Sequence, residues 1–161
     1  MILITGPTGA GKTTHALAVA GERGAIRFSI DPWMQTLYAK DMTALDFDWM
    51  MERVERCYVQ IWSVCEQILA VDGHVVLDLG FTTRRQRQRF VDLADAAGVT
   101  AELHYVTAPT DTRKQRVRQR NAEKDPRLYA FDVTDDMFAF MEPRYEPPSA
   151  EELVTGRTVV G

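Results

Sequence analysis

Near the start of the chain, the run Gly6-Pro7-Thr8-Gly9-Ala10-Gly11-Lys12-Thr13-Thr14 fits the pattern G-x-x-x-x-G-K-[ST] at every fixed position. This is the phosphate-binding loop called Walker A, and its chemistry needs these residue types. Glycine lacks a Cβ, so the backbone can curl with its N–H groups turned inward on an anion. Lys12 carries a compact positive charge to the β- and γ-phosphate oxygens, and the Thr13 hydroxyl is placed to ligate Mg²⁺. A helix that follows the loop adds unpaired N–H groups and a positive dipole end. Gly9, Ala10, Gly11, Lys12, Thr13 and Thr14 are therefore the expected contacts to nucleotide phosphate, with Lys12 also offsetting charge on the transferred group.

Two carboxylates stand where strands are expected to stop. The run 25–30 reads as a strand that Asp31-Pro32 ends, which would deliver the Asp31 carboxylate to the sheet edge where ligands of parallel α/β sheets sit. The run 74–80 is apolar up to Asp78, the Walker B pattern, whose carboxylate would hold Mg²⁺ or its waters beside Thr13. The alternative for Asp78 is a turn carboxylate capping the next helix.

Arginines form two further groups. Arg84, Arg85, Arg87 and Arg89 open one helix, and face either solvent or phosphate. Arg113, Arg116, Arg118 and Arg120 lie on another, where Arg116 and Arg120 are four residues apart and share a face. That second helix follows the fourth strand, the position of a kinase lid, with an exposed surface helix as the alternative.

The elements that must position these groups alternate along the chain. Strands are expected at 1–5, 25–30, 74–80, 100–108 and 157–160. Helices are expected at 15–23, 46–71, 84–97, from 109 to about 121, and at 133–142, with a short helix or ordered loop at 33–40 and a polar break at 41–44. Trp49, Met50, Val54, Cys57, Ile61, Cys65, Ile68 and Leu69 recur at three- and four-residue steps, the face of a helix packed on a core. His104 alternates with apolar neighbours, as a sheet residue does. The alternation predicts a parallel sheet of about five strands with helices on both faces.

With 161 residues, 45% of them hydrophobic, the chain suits a single domain spanning 1–161. A formal charge of −4 excludes a globally basic nucleic-acid binder, though not a local basic groove. Cys57 and Cys65 fall on one helix, about 12 Å apart along its axis, too far for a bridge. They read as buried free thiols in a reducing compartment. No apolar run approaches a membrane span and the chain opens on its first strand, so a soluble, cytoplasmic protein is expected.

Taken together, the chain resembles the small P-loop kinases in the group of chloramphenicol phosphotransferase, zeta toxins, gluconate kinase and the kinase domain of polynucleotide kinase. It looks especially like the short bacterial AAA-type ATP-binding proteins of that group. The resemblance rests on residues 6–14, on Asp31, Asp78, the 116–121 segment and the Tyr145-Glu146-Pro147-Pro148 run. It implies a P-loop NTPase three-layer α/β sandwich, with ATP and Mg²⁺ as cofactors and a lid around 112–127. By the same resemblance Asp31 takes the proton from an acceptor hydroxyl, Arg120 lies on the phosphates, Arg116 lies near adenine, and Asp78 is near metal or acceptor. Polynucleotide kinases have an arginine shortly after the base; here Pro32, Trp33 and Met34 follow.

The expected activity is transfer of the γ-phosphoryl of ATP to a hydroxyl of a small-molecule acceptor, catalysed by Asp31, Lys12 and Arg120. The alternatives are a polynucleotide or nucleoside 5′-hydroxyl kinase, whose acceptor phosphates the 84–89 arginines could contact, and a non-catalytic ATP-binding module. A nucleic-acid partner is possible on this reading but not favoured, and no membrane partner is expected. Guanine recognition is discounted because 121–125 carries the letters of N-K-x-D at the wrong spacing.

Overall fold

The computed structural model describes residues 1–42, 46–129 and 131–161. Among these residues five strands form one sheet: β1 (Ile2–Thr5), β2 (Ile26–Ser29), β3 (Val75–Asp78), β4 (Glu102–Thr107) and β5 (Arg157–Val160). Their order is β2-β3-β1-β4-β5 and every pairing is parallel. The expected sheet is therefore present, wholly parallel. Strand β1 is central, pairing Ile2 with Val76 on one side and with Glu102 on the other.

Among the described residues, six α-helices accompany the sheet: α1 (Lys12–Arg23), α2 (Ile30–Tyr38), α3 (Phe47–Leu69), α4 (Arg84–Ala96), α5 (Thr110–Glu123) and α6 (Asp135–Met141). Strand alternation sends neighbouring side chains to opposite faces. Leu3, Phe28, Val75, Leu77 and Leu103 pack with Cys57, Tyr58, Ile61, Trp62 and Cys65 of α3 and Phe90 and Ala94 of α4. On the other face Ile2, Ile4, Val76 and Val106 pack with Ala16, Val19 and Ala20 of α1. These two cores make the three-layer sandwich that the sequence pattern implies. Both cysteines are buried and free.

One boundary differs from expectation. Strand β2 stops at Ser29, and Asp31-Pro32 lies inside the first turn of α2 rather than ending a strand. Proline is tolerated there because first-turn N–H groups have no helical partner to lose. Trp33 packs against the α3–α4 core. The polar break expected at 41–44 falls partly outside the described residues. Among the described residues, no helix is long and apolar enough to cross a membrane.

Candidate nucleotide and phosphoryl-transfer site

The 6–14 loop joins central β1 to α1, so it stands at the C-terminal edge of the sheet, where α/β folds bind ligands. Two glycines show why the motif is needed. Gly11 caps α1 in a left-handed conformation, φ 99°, and no side chain caps the helix. No acidic residue occupies the first turn either. The N–H groups of Lys12, Thr13 and Thr14 are thus left for an external anion. Gly9 has φ 77°, and a Cβ there would stand 2.5 Å from the Arg113 carbonyl oxygen of α5. The loop therefore runs flush against α5. Ala10 is buried beneath it.

Around Lys12 the expected site residues converge. Its ammonium donates to the Pro7 carbonyl at 3.0 Å. Burial lowers its pKa, opposed by Asp78 and then Asp31, while Arg120 and Arg113 add to the lowering. Asp31 feels the same set from its place in the first turn of α2. Its carboxyl is pushed above the ordinary value first by loss of surrounding water and then by Asp78; Lys12, Arg120 and Arg27 pull it down. The side chain still opens to solvent, so water screens part of that push. An open carboxylate of raised proton affinity beside cations suits a general base.

The two lid-helix candidates also reach this edge. Arg116 donates from Nη1 to the Ala10 carbonyl at 3.3 Å. Arg120 lies within the electrostatic reach of Lys12 and Asp31, and its Nε is buried with no hydrogen-bond partner in the protein. A donor left over in this way is what an incoming phosphate oxygen would satisfy.

Asp78 ends β3 almost fully buried, on the α1 face of the sheet. Its Oδ2 accepts from Nη2 of Arg27 at 2.6 Å. Among the described residues, no group of three or more His, Cys, Asp or Glu could by itself hold a metal ion. Thr13 and Asp78 offer the sparse donor set of a Mg²⁺ that keeps most of its ligands as water and phosphate oxygen.

The turn after β3 is pinned beside the loop. Tyr58 donates to the Leu79 carbonyl and the Thr5 hydroxyl to the Phe81 carbonyl, both at 2.7 Å. Thr83 then caps α4 in a reciprocal box with Gln86. Three of the four 84–89 arginines carry carboxylate partners: Arg84 with Glu151, Arg87 with Glu152, and Arg89 with Glu55. Arg87 is 1% exposed and also donates to the Glu146 carbonyl at 2.8 Å. It anchors the C-terminal segment instead of waiting for phosphate.

Three roles were not legible beforehand. Arg113 uses all five N–H donors, on Ala108, Thr8, Thr110 and both oxygens of Glu142, and so braces the phosphate loop from behind. Arg27 pairs with Asp78. His104, fully buried as a sheet residue should be, links Glu102 at 2.7 Å to His15 of α1 at 2.9 Å. The only prior signal for Arg27 and His104 was a polar residue in an otherwise apolar strand.

Residues 1–148 match the AAA domain family. The chain belongs to that family. Among curated proteins no relative matches. Among solved structures, Chaetomium thermophilum Kti12 in complex with ADP-AlF3 is similar over 99% of this chain and 88% of its own, at 15% identity and a TM-score of 0.73. A gluconokinase from Sinorhizobium meliloti covers 99% and 81%, at 16% identity and TM-score 0.63. The Mycobacterium tuberculosis APS kinase, in complex with AMPPNP and APS, covers 98% and 86%, at 18% identity and TM-score 0.60. This AAA domain thus has the P-loop kinase-like fold, shared here with two kinases and with Kti12.

Proposed function

We propose that the protein is an ATP-dependent phosphotransferase that moves the γ-phosphoryl of ATP to a hydroxyl of a small-molecule acceptor. The observation that carries this reading is the Asp31 carboxylate, held in the first turn of α2 within electrostatic reach of Lys12 and Arg120 beside the 6–14 loop. A module that only bound nucleotide would have no use for a base there. The kinase fold of the gluconokinase and APS kinase supports the reaction class, and the nucleotides in two of the similar structures support ATP.

In this reading the N–H groups of 9–14 cradle the phosphates, and Lys12 and Arg120 offset charge that grows on the γ-phosphoryl oxygens in transfer. Arg116 lies along the nucleotide beside Ala10. Asp31 orients the acceptor hydroxyl and accepts its proton as the new O–P bond forms. Thr13, with Asp78, would hold Mg²⁺, which when bound adds positive charge at the β- and γ-oxygens. Helix α5 serves as the base of a lid over 112–127, fixed at its start by Arg113. The 5′-hydroxyl polynucleotide reading loses ground because Arg84, Arg87 and Arg89 already carry carboxylates.

Asp31→Asn tests the base. We expect ATP binding by calorimetry to change less than threefold. Phosphoryl transfer, followed by mass spectrometry across nucleosides, 5′-hydroxyl oligonucleotides, sugars and hydroxylated antibiotics, should fall by about 10²–10⁴. Wild-type transfer by the variant would remove Asp31 from the mechanism. In the native enzyme, transfer should decline as pH drops through the raised Asp31 value, because the protonated carboxyl cannot accept a proton.

A further inference from the structure

The carboxylate that the Walker B pattern offers to metal is already held by a cation. Arg27 and Asp78 lie on adjacent parallel strands, in a register that sets Arg27 beside Val76 and Ser29 beside Asp78. Alternation puts Arg27 and Asp78 on the same face of the sheet, two residues apart along it. An extended arginine spans that diagonal, and its Nη2 reaches Oδ2 of Asp78 at 2.6 Å. The side chains are only 17% and 6% exposed, so water does little to loosen a charge-assisted bond of this length.

Arg27 is poorly placed for its own sake. Its Nε is buried with no partner in the protein, a cost that native structures rarely carry without a compensating interaction. What it gains is the Asp78 contact. A divalent ion approaching Asp78 meets this guanidinium and, nearby, the Lys12 ammonium. Asp31 is a second carboxylate near Asp78, but Arg27, Lys12 and Arg120 outnumber the pair, and among the described residues no group of three or more His, Cys, Asp or Glu forms a metal site. Only phosphate oxygens could reverse that balance.

We infer that Arg27 decides how metal enters the site: by holding Asp78 it keeps the nucleotide-free protein from binding a divalent cation, so Mg²⁺ arrives only as the nucleotide complex. Arg27 is thus a selectivity residue for the metal–nucleotide pair. This rests on the reading of residues 6–14, Thr13 and Asp78 as a metal–nucleotide site, but not on the identity of the acceptor.

The test uses the full chain without nucleotide and Mn²⁺ alone as probe, followed by the electron paramagnetic resonance signal of the free ion. Wild type should show no saturable site at submillimolar Mn²⁺. Arg27→Met should gain one site per chain, at least tenfold tighter, and Asp78→Asn in that background should abolish the gain. Arg27→Lys, which keeps a charge but not the fork, should tighten binding severalfold and serves if Arg27→Met does not fold. The inference is overturned if wild type binds one Mn²⁺ tightly through Asp78, or if folded Arg27 variants bind no better than wild type. Titration with ATP and Mg²⁺ together is run in parallel. Loss of ATP binding there would strike the nucleotide reading itself, whereas the Mn²⁺ series separately decides the role of Arg27.

Discussion

Helix α4 carries Arg84, Arg85, Arg87 and Arg89, and helix α5 carries Arg113, Arg116, Arg118 and Arg120. The two are alike in composition and opposite in disposition. In α4 three arginines are matched to carboxylates and one of them is sealed in the core. In α5 Arg113 and Arg118 are matched, to Glu142 and Asp135, while Arg116 and Arg120 pair with no carboxylate among the described residues and lie at the phosphate loop. Charge reserved for a ligand is recognised by what does not neutralise it. A count of arginines cannot separate the two helices; the partners do.

This contrast can be broken by substitution. Among the arginines the largest effect on transfer is expected at Arg120, where alanine should slow it by about 10²–10³ while leaving the thermal midpoint nearly unchanged, since among the described residues the side chain makes no ion pair. Loss of stability with normal turnover would place Arg120 with the structural arginines. Next comes Arg87→Met, which leaves Glu152 nearly buried and uncompensated and should cost about 3–5 kcal/mol in urea unfolding. If instead ATP affinity fell without unfolding, α4 would belong to the site after all. Asp31→Asn sharpens the point from the acidic side. Its folded-state carboxyl binds a proton more readily than the unfolded one, so stability falls as pH rises from the ordinary carboxylate value to the raised one. The ionised group therefore opposes folding at neutral pH, and the asparagine variant should melt slightly higher as transfer is lost. Smallest is Arg85→Glu, expected within about 0.5 kcal/mol of wild type. An appreciable salt-dependent drop in acceptor binding would restore a phosphate-contact role to α4.

What could be read from the chain beforehand follows the range of the interactions. The 6–14 loop was legible because its conformation is local, and the parallel sheet because alternation is local too. Asp31 was expected to end a strand but lies in the first turn of α2, since proline ends strands and starts helices equally well. Arg87 and Glu152 are 65 positions apart, Arg27 and Asp78 are 51 apart, and Arg113 and Glu142 are 29 apart. Those pairs depend on strand order and register, which no window of sequence contains. The face shared by Arg116 and Arg120 was visible; that their helix-mates Arg113 and Arg118 would be neutralised was not.

The Arg113 brace has a consequence for the order of assembly during synthesis. Residues 6–14 leave the ribosome well before their supports, since β1 cannot pair until Val76 and then Glu102 have been made. Arg113 does not reach its full set of acceptors until Glu142 has followed. At about 5–20 residues per second the nascent chain carries an unsupported glycine loop for several seconds. The 6–14 loop is therefore made before its supports and matures after them, and a ribosome stalled before residue 142 would display a chain that has the whole 6–14 motif but lacks the clasp that steadies it.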